Sequence, residues 1–156
     1  MIHLRGNVLL IGYGNPGRLD DGLGPALAES VRRMALDHVT VESCYQLAVE
    51  HAEQAAHHDV TIFADADING PEPFRFDRLE PKMDAAFSTH TVAPATILGL
   101  AHHLFNATTD GYILGIRGHN FDDFGEGLSP QAQGNLAAAV EFLESALQTP
   151  GCEVGP

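Results

Sequence analysis

The sequence predicts an α/β fold: a three-layer domain with a mostly parallel, twisted, five-stranded sheet, helices on both faces and one antiparallel edge strand. Three observations carry that expectation. Short apolar runs alternate with longer segments of helical period, the pattern of right-handed βαβ units. The first of these runs is continuous rather than alternating, as in a strand covered on both faces. The composition fits a folded chain, with 44% hydrophobic and 19% charged residues among 156, enough for one core-bearing domain spanning 1–156.

Asn7-Val8-Leu9-Leu10-Ile11-Gly12 is the first strand. Leu23, Leu27, Val31 and Met34 recur at helical spacing, and Pro25 is tolerable only in an opening turn, which places the start of this helix near Asp21. His38 to Cys44 reads as the second strand, and a short helix carrying Leu47, Val49 and Ala52 follows. Val60 to Ala64 is the third strand, running into Asp65-Ala66-Asp67. Phe74 to Leu79 alternates after Asn69-Gly70-Pro71 and is the expected antiparallel edge strand. A polar loop from Glu80 to Thr89 leads to a helix with Val92, Ile97, Leu100, Ala101 and Leu104, and with Pro94 in its first turn. Tyr112 to Ile116 is a further strand. Ser129-Pro130 opens the last helix as a cap and first-position proline, with Leu136, Val140, Leu143 and Leu147 as its expected buried face.

The charge balance narrows the function. Asp and Glu number 21 against 8 Lys and Arg, a net charge of -13, so phosphate backbones and anionic membrane surfaces are repelled. Nucleic acid and membrane are therefore not expected partners. Cys44 and Cys152 do not make a disulfide framework, and the amino-terminal apolar run is too short for a signal peptide or membrane span. A cytoplasmic monomer is the expectation.

Sites in doubly wound sheets gather at the carboxyl ends of strands, near the reversal of strand order. The first loop there, Gly12-Tyr13-Gly14-Asn15-Pro16-Gly17, matches a dinucleotide-binding pattern literally. Arg18-Leu19-Asp20-Asp21 follows and would set two carboxylates where a pyrophosphate needs bare amides. One of the two is expected to cap the helix, leaving the other for a ligand. Asp65 ends the third strand at the same sheet edge, and His90 precedes a helix in Ser88-Thr89-His90-Thr91. Taken singly, Asp65 and Asp67 read as strand-ending turn residues and His90 as an exposed or capping side chain. Together, Asp21, Asp65 and His90 would make an O,O,N site for a divalent transition metal, with positions left for water or a partner group.

Gly12-Tyr13-Gly14-Asn15-Pro16 with Asp20-Asp21-Gly22-Leu23-Gly24 resembles the opening motif of the nickel–iron hydrogenase maturation endopeptidases. Ala64-Asp65-Ala66 is similar to that family's second motif, Ser88-Thr89-His90 to its third, and Gly127-Leu128-Ser129-Pro130 to the segment opening its last helix. The resemblance spans nearly the whole chain. It implies a nickel-dependent, aspartic-type-like endopeptidase that removes the C-terminal extension of a nickel-loaded hydrogenase large-subunit precursor. By the same resemblance, the nickel carried by the precursor is recognised by Asp21, Asp65 and His90, which are also the catalytic candidates. The chain departs from many members after the second strand, where Glu42-Ser43-Cys44-Tyr45-Gln46 replaces an Asp-Gly-Gly-Thr-like stretch, which bears on the identity of the precursor.

Rival readings stand beside this one. A nickel chaperone or sensor without hydrolysis would share the three ligands. His119, Asp122 and Glu126 offer a second metal loop, against the favoured reading as a polar loop pinned by Phe121 and Phe124, with contact to the precursor as a secondary role. Cys44 as a nucleophile needs an electropositive setting that Glu42 opposes, so a buried or half-buried structural role is expected. His57-His58 and His102-His103 fall late in helices and read as surface features.

Overall fold

The strand built from the first apolar run, β1 (Val8–Tyr13), lies inside a single five-stranded sheet. A computed structural model of the chain describes residues 3–83 and 92–147. The further elements are α1 (Leu23–Arg33), β2 (Val39–Cys44), α2 (Glu50–Ala56), β3 (Val60–Asp67), β4 (Phe74–Leu79), α3 (Pro94–Leu104), β5 (Asp110–Arg117) and α4 (Pro130–Ala146). The strand order is β2-β1-β3-β5-β4. Every pairing is parallel except β4 with β5, where Phe74 faces Ile116 and Leu79 faces Gly111. The expected three-layer sheet with one antiparallel edge strand is therefore the architecture observed.

Burial explains the continuous runs. Val8 and Leu10 of β1 pack with α1 and α4, while Leu9 and Ile11 pack with α2 and α3. A strand with a core on each side has no solvent face on which to place polar residues. β2, at an edge, is only partly buried and alternates more strongly. Among the described residues, no helix is long and apolar enough to cross a membrane.

Two expectations need correction. Leu143 and Leu147 are fully buried as expected, but the rest of the buried face of α4 is Ala132, Ala139 and Ala146, with Leu136 and Val140 only partly buried at its margins. Small residues face the core because α4 lies against α1, and Phe142 reaches sideways to cover Phe74 and Phe76 on the edge strand, with ring centroids at 5.2 and 4.9 Å. The short second helix begins at Glu50. Leu47 precedes it as a buried anchor and Val49 is exposed.

The chain leaves β1 for β2 on one side and returns for β3 on the other, so the strand order reverses between β1 and β3. Two glycines let α1 sit directly over this point. A Cβ on Gly12 would lie 2.2 Å from the Gly24 carbonyl oxygen, and one on Gly24 would lie 2.3 Å from that of Tyr13 and 2.7 Å from that of Ala64. Backbone cannot yield as a side chain can. Gly24→Ala should therefore destabilise by about 1–3 kcal/mol through overpacking, even though alanine is the better helix former by about 1 kcal/mol. Urea unfolding measures this, and an unchanged midpoint would show that α1 is free to lift from the sheet.

Candidate active site

The carboxyl edge at the reversal point carries a row of side chains set by strand register. Tyr13 is paired with Cys44 on β2, and Gly12 with Ala64 on β3, which places Tyr13 next to Asp65. Tyr13 and Cys44 lie on the α2 and α3 face, and alternation from Phe63 puts Asp65 there too. The Tyr13 hydroxyl and the Asp65 carboxylate influence each other's protonation across this short gap between neighbouring strands. Burial, then the adjoining Asp65, holds the Tyr13 phenol far above its ordinary value, so it keeps its proton.

Asp65 is the perturbed acid of the site. Burial, with help from the charge of Asp21, raises its pKa to about 6, against the Ala66 amide and Tyr13 hydroxyl that favour the anion. The Ala66 N–H donates to Asp65 Oδ1 at 2.8 Å. Two carboxylates that feel each other in a half-buried crevice are an arrangement that a cation relieves.

Asp20 and Asp21 have separate tasks. A 3-10 turn, Leu19–Gly22, carries both ahead of α1, and neither makes a side-chain cap to a helix. The expected cap is thus absent. Asp20 is fully buried, and its carboxylate accepts from the His119 and Asn120 amides at 2.7 and 2.9 Å and from the Ser129 amide and hydroxyl at 2.7 Å each. Burial alone would raise its pKa, but these donors outweigh burial and hold the carboxyl below its usual range. Asp20 is therefore a tie between the β1–α1 turn and the segment opening α4. Asp21 accepts the Asn15 N–H at 2.8 Å, which orients it over the end of β1.

That same bond disposes of the dinucleotide pattern. The Asn15 amide is taken by Asp21 Oδ2 and the Gly17 amide by Asn15 Oδ1, so loop donors that a phosphate would need are already engaged. On the β2 side of the turn, Gly14, Pro16, Pro25, Ser43, Cys44 and Tyr45 line an open cavity of about 250 Å³. Asp67, two residues after Asp65, binds the Asn69 and Gly70 amides and the Arg75 guanidinium, which fits its reading as a turn residue.

His90 lies outside the described residues, so the third member of the sequence-derived set is not placed. Among the described residues, no group of three or more His, Cys, Asp or Glu side chains is gathered closely enough to hold a metal. This applies to the rival loop as well: His119 Nε2 instead meets Glu72 Oε1 at 3.1 Å. The loop is pinned by Asp20 rather than by Phe124, whose ring is 80% exposed. Of the paired histidines, His57 and His103 are exposed, but His58 reaches Thr40 Oγ1 at 3.2 Å and His102 binds the Thr109 carbonyl at 2.8 Å, so each pair has one structural member.

Two residues near the site are given no role by the sequence. Tyr13 was legible in principle, since Leu9, Ile11 and Tyr13 alternate onto one face. His51 lies 3.9 Å from Cys44 Sγ, across a helix start whose position the sequence misplaces. The Ala48 N–H donates to His51 Nδ1 at 2.9 Å, leaving Nε2 to face the sulfur. Burial and then Glu42 push the Cys44 thiol up, in keeping with a structural cysteine.

Fold and site together define a class: a doubly wound α/β domain with paired carboxylates at its switch point. Solved structures with this fold carry specific names. The NiFe hydrogenase maturation protease HycI from Thermococcus kodakarensis KOD1 superposes with a TM-score of 0.72 at 20% identity, covering 92% of this chain and 93% of that one. An endopeptidase from Escherichia coli gives 0.71 at 21% identity over 93% and 94%. The hydrogenase maturating endopeptidase HybD from E. coli gives 0.65 at 23% over 93% and 94%. No family model and no curated protein sequence matches the chain. At these identities the likeness establishes the shared fold.

Proposed function

We propose that this chain is an endopeptidase that removes the C-terminal extension from a nickel-loaded NiFe hydrogenase large-subunit precursor. The observation that carries the reading is the placement of Asp21 and Asp65 on the two sides of the switch point, one in the turn after β1 and the other near the end of β3, where the charge of Asp21 helps to raise the Asp65 pKa. The fold is that of proteins named as hydrogenase maturation proteases, which supports the reaction class. The sequence resemblance assigns nickel recognition to the same two carboxylates.

Nickel enters as part of the substrate. Two carboxylate oxygens and one imidazole suit a borderline divalent ion and leave coordination positions to the precursor's own ligands. His90 is the proposed nitrogen donor, and α3 opens four residues after it, packed on the face that carries Tyr13 and Asp65. Docked through nickel, the precursor segment would lie over the carboxyl edge. There a water activated by a carboxylate attacks the scissile carbonyl. The Ala66 amide holds the Asp65 carboxylate in place, with the Tyr13 phenol beside it. The compartment proposed is the cytoplasm.

His90→Ala tests the ligand set. Processing of nickel-loaded precursor should fall by about a hundredfold or more, the scale for losing a group used in the transition state, while thermal unfolding is unmoved. Retained processing would remove His90 from the site.

A further inference from the structure

The β1–α1 turn and the loop after β5 are joined by more than Asp20. The Gly125 amide donates to the Gly17 carbonyl at 2.8 Å and the Leu19 amide to the Gly125 carbonyl at 3.0 Å, closing a short parallel bridge between Arg18 and Gly125. This clasp brings the Arg18 guanidinium over the Phe124 ring, with Cζ at 5.5 Å from the centroid. Arg18 Nη2 also reaches the Phe121 carbonyl at 3.5 Å. Phe124 is 80% exposed, so the stack stands at the surface of the carboxyl edge. The Arg18 carbonyl accepts the Asp21 amide at 3.1 Å, which places the stack one turn from the proposed site.

Arg18 has no carboxylate partner among the described residues, a condition it shares with Arg5, Lys82 and Arg117, but it alone of these is stacked on an exposed ring beside the proposed site. Arg32 and Arg33 pair with Glu29, Arg75 with Asp67 and Asp77, and Arg78 with Asp110. Arg117 gives its guanidinium to the Gly70 and Gly118 carbonyls. Arg18 has no acidic partner among the described residues, although the chain carries a net charge of -13 and Asp123 is adjacent to Phe124. Asp123 turns its carboxylate to the Phe124 amide instead. A guanidinium stacked on an aromatic ring is held flat, with its remaining N–H groups in the fork geometry that receives a carboxylate bidentately. In a strongly acidic protein, a partner's carboxylate is repelled from most of the surface, so an unpaired cation beside the cleft selects where one is accepted.

We propose that Arg18 and Phe124 form a specificity site that receives a carboxylate of the precursor's removable segment and packs an apolar neighbour against the exposed ring. The inference rests on the functional reading above and adds the chemistry by which the segment is chosen. The carboxylate has two available sources, an acidic side chain of the segment or its chain terminus.

Binding and cleavage of the nickel-loaded precursor are measured separately on the full chain. For Arg18→Gln and Phe124→Ala, Kd and KM should rise about three- to tenfold with kcat within twofold, the size expected for a partly exposed charge-assisted contact. Raising the salt concentration should weaken binding to the native protein more than to Arg18→Gln. Arg18→Lys should restore the salt dependence but only part of the affinity. Precursors with segment acids changed to amides, or with the terminus displaced by an appended Gly-Ser run, separate the two sources: the one already insensitive to Arg18→Gln has lost the recognised carboxylate. Unchanged binding by Arg18→Gln with unchanged melting overturns the inference, as does a native protein indifferent to every precursor variant. If the precursor binds through Arg18 yet is not cleaved, the endopeptidase reading fails and the specificity site stands. If it does not bind at all, both fail.

Discussion

Asp65→Asn should leave the protein more stable at neutral pH and unable to process. The carboxyl of Asp65 has its pKa raised to about 6 from 3.8, chiefly by burial and then by Asp21. A carboxyl that holds its proton more tightly when folded stabilises the fold below its unfolded pKa. As pH rises through the window from about 4 to about 6, the unfolded chain loses its proton first, and that stability is lost. Above the window the ionised group imposes a constant cost, on the order of 2–3 kcal/mol for a shift of this size. Asparagine keeps an oxygen for the Ala66 amide and carries no charge to desolvate. Metal-free unfolding in urea at pH 5 and pH 7 checks this. The native protein should lose stability between the two and the variant should not. Processing should fall by about a hundredfold or more in the same variant, since the amide neither attracts a cation nor accepts a proton. A variant less stable at pH 7 than the native chain would mean that Asp65 is ionised at no cost, and the strained carboxylate pair would be lost as the basis of the site.

Asp20→Ala should act in the opposite sense, weakening the fold by about 3–5 kcal/mol. Four donors, from His119, Asn120 and both groups of Ser129, would be left buried without an acceptor. The same Ser129 hydroxyl caps α4 by accepting the Ala132 amide at 3.2 Å, so the start of that helix loses its anchor as well. Asp20→Asn keeps one oxygen but turns an NH2 group toward a donor, and should cost less. The lowered pKa of Asp20 gives its contribution in full above the unfolded carboxylate value, and this is lost as pH falls through the lower native one. Acid unfolding should therefore be shallower in Asp20→Asn than in the native protein. Equal stability of native and Asp20→Ala chains in urea at pH 7 would refute the tie.

These two aspartates show where sequence reading stops. β1 and β3 were legible because a strand sandwiched between two helical layers is mostly apolar: Val8 to Ile11 is so throughout, and Val60 to Phe63 is except for Thr61, whose hydroxyl is satisfied by Thr109. Asp65 was legible by its position at the end of such a strand. Asp20 and Asp21 are adjacent and chemically identical. What separates them is the arrival of His119, Asn120 and Ser129 from about a hundred residues away, which local pattern does not contain. The margin of α4 was misread for a similar reason. Leu136 and Val140 have the right period and are partly buried, but full burial falls on Ala132, Ala139, Leu143 and Ala146, in a helix that packs on α1. Phe124 failed as an anchor because the loop was already held by Asp20, which leaves the ring free to carry Arg18.

The central claim is that the carboxylate pair at the switch point serves peptide-bond hydrolysis on a nickel-bearing partner. Intact-mass measurement of a nickel-loaded hydrogenase large-subunit precursor, before and after incubation with the native chain, tests it most directly. The account predicts a mass loss equal to one C-terminal peptide, absent with nickel-free precursor and absent with Asp65→Asn. A precursor that binds through nickel and keeps its full mass would contradict it, and would make the chain a nickel-binding module without hydrolysis.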